Sequence, residues 1–208
     1  MNEAAKRLLG AFALSLLSTT ALAQEAEEGV GGDVMFGLRG VGEVWQDASI
    51  ITNYRSSRFA GAGFFGFGLN DWLMLDAEIG YMRQDADTTR AGVAAGALQL
   101  VPVTVALEAR RDSARAELFG GAGFTTVAYS EETDVGVVSG AKPALDLRAG
   151  TRIHTNLVRE PITGPGSPGL RGLDVELLLG RRQHHAFGLG TGFDLSAWRV
   201  GIGLAARL

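Results

Sequence analysis

The stretch Leu145-Asp146-Leu147-Arg148-Ala149-Gly150-Thr151-Arg152-Ile153 places mostly apolar residues at odd positions and Asp, Arg, Gly and Arg at even ones. Leu173-Asp174-Val175-Glu176-Leu177-Leu178-Leu179-Gly180 repeats the alternation, with an aliphatic residue at every odd position. A β-strand turns successive side chains to opposite faces, so each segment has one greasy face and one face of charges and glycines. The same period of two recurs along most of the chain.

The first residues have the anatomy of a secretory signal peptide. Lys6 and Arg7 form a basic n-region, Leu8 to Leu17 an apolar run, and Ala21-Leu22-Ala23 a small-residue cleavage site before Gln24. The apolar run is too short to span a bilayer as a helix. Residues 1–23 are therefore expected to be removed, and residues 24–32, QEAEEGVGG, to be a disordered acidic lead-in. Residues 33–208 remain as a single domain. With no cysteine in the chain, there is no disulfide framework and no thiolate site. The net charge of −4 argues against a nucleic-acid partner, which calls for a basic patch. No run of eighteen apolar residues follows Ala23, so a membrane-spanning form has to be a closed β-barrel.

Eight segments carry the alternation: 33–46, 58–70, 72–84, 95–109, 114–129, 144–154, 173–182 and 195–208. Each has about the ten residues that a tilted membrane strand needs, and an even number places both termini on the periplasmic side. Asn70-Asp71 and 110–113 read as short periplasmic turns; 47–57, 85–94, 130–143 and 183–194 read as longer outer loops. The connection 155–172 breaks the rule: it is periplasmic, long, and contains Pro161, Pro165 and Pro168.

The composition of the polar face separates a membrane barrel from a soluble periplasmic one. Polar-face positions include Gly37, Gly80, Gly121, Gly123, Gly150, Gly180, Gly201 and Gly203. Glycine weakens a strand and fits where something else comes close, as in a narrow eight-stranded lumen. After Ala23 there is one lysine, Lys142, against sixteen arginines. The planar guanidinium suits buried paired networks better than a strongly hydrated ammonium. Both features favour a barrel with its apolar face toward lipid.

By parity, the inward charges are Arg39 and Glu43; Asp76 and Glu78; Glu108; Arg115 and Glu117; Asp146, Arg148 and Arg152; Asp174, Glu176 and Arg182; and Arg199. The signs are near balance, eight acids against six bases, and buried charges are tolerated only when paired, so the expectation is an interlocked network filling the lumen. A single-sign ring would instead indicate an ion filter. Trp45, Trp72, Tyr81, Tyr129 and Trp198 lie near strand ends, where interface anchors belong, although Trp45 and Trp72 fall on the inward parity.

GFGLNDWLMLDAEIGYM (66–82) resembles a hairpin common in small outer-membrane barrels. LVPVTVALEAR (100–110) followed by AELFGGAGF (116–124) resembles the central hairpin of the same group, the OmpA/OmpX-like eight-stranded outer-membrane β-barrels. The resemblance covers nearly all of the mature chain and implies an all-β, antiparallel up-and-down transmembrane barrel. Two features depart from it. The chain ends on Leu208 rather than an aromatic residue, and Pro102 lies inside a strand, where a bulge would accommodate it.

Some barrels of this size modify lipid A. His154-Thr155-Asn156 faintly resembles the His-x-Ser-Asn signature of lipid A deacylases, but the serine is missing and His154 falls at the periplasmic end. His184 and His185, adjacent on a strand, point to opposite faces and do not make a metal pair. Gly188-Leu189-Gly190-Thr191-Gly192 lacks the following helix that gives a phosphate loop its meaning. The expectation is a monomeric, non-catalytic outer-membrane barrel of a Gram-negative bacterium, without cofactor, with a charge-filled lumen and a structural or interaction role through its outer loops. Its expected partners are outer-membrane lipid, lipopolysaccharide and the barrel-assembly machinery. A narrow passive channel, a lipid A-modifying enzyme and a soluble periplasmic barrel are the alternatives.

Overall fold

The computed structural model describes residues 33–47, 50–51, 54, 57–86, 96–133, 136–155, 170–184 and 194–208. Its strands are β1 (Val34–Trp45), β2 (Ser57–Asn70), β3 (Leu73–Asp85), β4 (Ala97–Asp112), β5 (Ala116–Thr133), β6 (Gly136–Thr155), β7 (Gly172–Gln183) and β8 (Ala197–Arg207). Each pairs antiparallel with its sequence neighbours, and β8 pairs with β1 to close the barrel. No helix among the described residues is long and apolar enough to cross a membrane. Residues 1–32, most of 155–172, His185 and 188–192 lie outside the described residues.

The ladder can be followed once round the barrel. Met35 pairs with Gly66, Gly66 with Asp76, Asp76 with Ala106, and Ala106 with Gly123. Gly123 pairs with Asp146, Asp146 with Arg182, Arg182 with Ala197, and Ala197 with Trp45. The circuit begins at Met35 and returns to the same strand at Trp45, a stagger of ten residues. With eight strands this fixes a tilt of about 40° and an interior that side chains can fill.

Alternation sorts every strand. Leu38, Leu118, Leu147, Leu177, Val200, Ile202 and Leu204 point outward, while Arg39, Asp76, Glu108, Arg152, Glu176 and Arg199 point into the barrel. Tyr81 and Trp198 face outward near the outer end, Trp45 is buried inside, and Tyr129 is partly buried against the inner cluster. Trp72 departs from its inward parity: it belongs to the Asp71-Trp72 turn, is 60 % exposed, and donates its backbone N–H to Asn70 Oδ1 at 3.0 Å.

Three further expectations are corrected. Pro102 sits without a bulge: the β3–β4 register is the same on both sides, Ile79 opposite Val103 and Met82 opposite Leu100. The inward Gly80 leaves the space instead, since a Cβ there would lie 2.9 Å from Pro102 Cγ. The 130–143 loop is mostly ladder, with Ser130 opposite Ser139 and Glu132 opposite Val137, because β-branched Val137 and Val138 continue the strand. The β4–β5 turn lies two to three residues later than expected, where Ser113 N–H donates to Asp112 Oδ1 at 2.8 Å and to the Ala116 carbonyl at 3.0 Å.

Candidate functional site

The inward faces of β1, β3, β4, β5, β6, β7 and β8 bring most of the expected charges together in the lumen. Arg39 Nη1 donates to Glu78 at 2.7 Å, Nη2 to Asp76 at 3.2 Å, and Nε to Glu176. Arg148 donates from Nη1 to Asp76 at 2.7 Å and from Nε to Asp146 at 2.8 Å, with Glu108 3.6 Å away. Arg152 spans Glu108 at 2.8 Å, Glu176 at 2.9 Å, and Glu117. Arg199 holds Asp146 at 2.8 Å and lies 3.4 Å from Glu43, while Arg182 holds Glu43 at 3.0 Å. Most of these carboxylates are shared by two or more arginines, so charges from different strands are cross-linked through the centre. The planar guanidinium fork allows one residue to bridge several acids.

Two expected members stand elsewhere. Arg115 is exposed in the β4–β5 turn, because the turn falls at Ser113–Arg115 rather than before it; its carbonyl accepts the His154 N–H at 3.0 Å. Asp174 faces inward at the periplasmic mouth, apart from the central group, held by Arg207 at 2.9 Å and His154 at 3.1 Å. His154 also meets Asp112 at 2.8 Å through its other nitrogen, so both ring nitrogens are engaged with carboxylates. The neighbouring Ser113 hydroxyl donates to the Ala116 carbonyl at 2.6 Å.

Sequence parity missed two sets of residues. The first is Arg58, whose side chain is buried between Glu43, at 3.4 Å, and the Trp45 ring, with the guanidinium carbon 3.3 Å from the ring centre. The second is a pair of inward rings, Phe64 and Phe119, each directly opposite a glycine, Gly37 and Gly150. A Cβ on Gly37 would lie 2.6 Å from Phe64, and one on Gly150 would lie 2.5 Å from Phe119. The rings occupy the vacated space and carry network arginines on their faces: Arg39 over Phe64 at 3.7 Å, Arg152 over Phe119 at 4.0 Å. The glycines are thus part of the charge network's support. The signal was a phenylalanine on the polar parity, cross-strand from glycine.

Toward the outer end an apolar cluster packs around the Glu43, Arg58 and Arg182 part of this network. Val41, Trp45, Ala60, Met82, Leu98, Leu100, Val127 and Leu195 form one buried cluster, joined by Ile50 and Tyr54 from the first outer loop. Ile50 and Tyr54 enter the barrel because 50–51 make a short helical turn, with Tyr54 N–H bonded to the Ile50 carbonyl at 2.7 Å. The Tyr54 hydroxyl donates to Glu131 Oε1 at 2.6 Å; burial first, then that carboxylate, raises its pKa above the ordinary phenol value. At the rim, His184 donates from Nδ1 to the Pro143 carbonyl at 2.8 Å. Burial, then the nearby Arg182, lowers its pKa to about 4.

The family of the chain follows from a sequence match over 9–207 to the outer membrane protein beta-barrel domain. The chain belongs to that family. It is thus an outer-membrane protein of Gram-negative type. No curated protein matches it. OprG of Pseudomonas aeruginosa is similar in fold, with TM-score 0.58 and 11 % identity over 85 % of this chain and 96 % of that one. Neisserial surface protein A gives 0.52 and 12 % over 87 % and 99 %. Ail, the attachment invasion locus protein of Yersinia pestis, solved with the heparin analogue sucrose octasulfate, gives 0.50 and 11 % over 85 % and 97 %. At such identities the likeness is one of fold.

Proposed function

We propose that this family member is a non-conducting, non-catalytic barrel, serving the outer membrane structurally and interacting through its outer rim. One observation carries the reading: the lumen contains two fillings. The cross-linked arginine–carboxylate network occupies the middle and reaches outward through Glu43, Arg58 and Arg182, and the apolar cluster capped by Ile50 and Tyr54 packs around it in the outer part. A water path would have to break both. The mixed-sign network also differs from the single-sign ring of a selectivity filter. His154, clamped between Asp112 and Asp174 at the periplasmic end, faces away from the leaflet that holds lipid A.

The apolar outer wall takes outer-membrane lipid and lipopolysaccharide as its solvent, and the barrel-assembly machinery inserts the chain as a monomer. The test is planar-bilayer recording of the refolded protein. The closed reading expects no steady unit conductance. Stable ohmic channels from the unmodified chain would overturn it in favour of a narrow passive channel.

A further inference from the structure

The outer part of the lumen holds more buried donors than acceptors. Register puts Trp45 opposite Ala197 and Ala197 opposite Arg182, one inward row across β1, β8 and β7. Two residues back along β1, Glu43 stands opposite Arg58 on β2 and Arg199 on β8. Arg58 Nη2 and Arg182 Nη1 reach the same oxygen, Glu43 Oε2, at 3.4 and 3.3 Å, and the Arg58 guanidinium lies on the Trp45 ring. Trp45 is 3 % exposed, and the Arg58 and Arg182 side chains 4 % and 0 %. Five of their nitrogens, Trp45 Nε1, Arg58 Nε and Nη1, and Arg182 Nε and Nη2, are buried and donate to no group among the described residues. The buried acceptors left over toward this end are two, Gln84 Oε1 and His184 Nε2. Water does not change that difference, because each molecule brings two donors with its two acceptors; an anion brings acceptors alone.

Charge points the same way. Arg58 and Arg182 face a single carboxylate, Glu43, and its third arginine, Arg199, is also held by Asp146 and Glu78. The deeper carboxylates are shared among Arg39, Arg148, Arg152 and Arg199. One positive charge is thus left without a close counter-charge, inside the apolar cluster that contains Trp45, Val41, Ala60 and Leu195, where an uncompensated charge is costly. We infer that Trp45, Arg58 and Arg182 form an internal site for one chloride ion, held as a structural ligand of the outer lumen. A monatomic single charge matches the surplus of one; a divalent oxyanion would leave a second charge unpaired in the cluster. The site goes beyond the closed-lumen reading and rests only on its dry outer part.

The test is urea unfolding of the refolded protein in lipid bilayers, with sodium chloride exchanged stepwise for bulky sodium gluconate at constant ionic strength. The folding equilibrium constant should rise about tenfold per tenfold chloride above half-saturation, as one site on the folded state alone requires. Trp45→Phe keeps the ring under Arg58 and removes only the N–H, so the half-saturating chloride should rise about tenfold. Arg182→Gln should abolish the dependence while the heat-modifiable shift shows a folded barrel. Crystals grown in bromide should carry an anomalous peak within hydrogen-bond distance of all three side chains. Stability set by ionic strength whatever the anion, a chloride response unchanged in both variants, or no bromide at this place would each overturn the site. None of these readouts is a current: open channels would overturn the closed lumen, whereas a bromide peak at Trp45, Arg58 and Arg182 would stand beside them.

Discussion

Replacing Arg39 with methionine tests whether the lumen is dry. Arg39 is 2 % exposed, touches Asp76, Glu78 and Glu176, and lies on Phe64. Methionine keeps much of the stem volume, so the loss is chiefly electrostatic. Each carboxylate keeps another arginine: Asp76 and Glu78 keep Arg148 and Arg199, respectively, and Glu176 keeps Arg152. The deficit is therefore one uncompensated buried negative charge, and the expected cost is about 3–5 kcal/mol. Adding Glu176→Gln removes that surplus, and the two changes should couple favourably by about 1–3 kcal/mol. The assay is urea unfolding in phospholipid bilayers, followed by tryptophan fluorescence and by the heat-modifiable gel shift. If the lumen were water-filled, the pairs would be screened like surface ones, and Arg39→Met would cost about 0–1 kcal/mol. A near-neutral Arg39→Met, with no coupling to Glu176→Gln, would refute the reasoning.

Leu177→Arg, on the lipid-facing parity, should destabilise the barrel by about 2–4 kcal/mol in the same bilayer assay if the side chain lies at mid-depth. Gly150→Leu should cost about 3 kcal/mol or more, because a Cβ there would lie 2.2 Å from the Leu177 carbonyl oxygen and 2.5 Å from Phe119 beneath Arg152, read by unfolding and by near-ultraviolet circular dichroism. His184 is buried neutral, with its pKa lowered from 6.5 to about 4, so the unfolded chain takes up its proton first as pH falls. Its contribution is complete above 6.5 and is lost as pH falls toward 4; His184→Gln should flatten unfolding free energy against pH in that window. Tyr54→Asp should expel the first outer loop from the apolar cluster and raise protease cleavage there, without disturbing heat modifiability.

Much of the architecture was legible in the sequence because a barrel strand has only one degree of freedom in facing. Once Leu147 and Leu177 are outward, Arg148 and Glu176 are inward, and the count of alternating segments gives closure. Where period two was broken by turn chemistry, parity failed: Asp112 bonding Ser113 moved the turn and carried Arg115 out of the lumen. Alternation also cannot tell how far two strands stay paired beyond their neighbours. The ten-residue stagger and the length of the β5–β6 ladder are properties of register, set by ladder hydrogen bonds between paired segments. The pairing of Phe64 with Gly37 and of Phe119 with Gly150 is of the same kind, since a ring needs the empty position across the ladder rather than along the chain. Sequence alone determined most of the charges that enter the barrel, Arg58 and Arg115 excepted. The tertiary structure decided which acid each arginine holds, because those partners come from strands that only closure brings face to face.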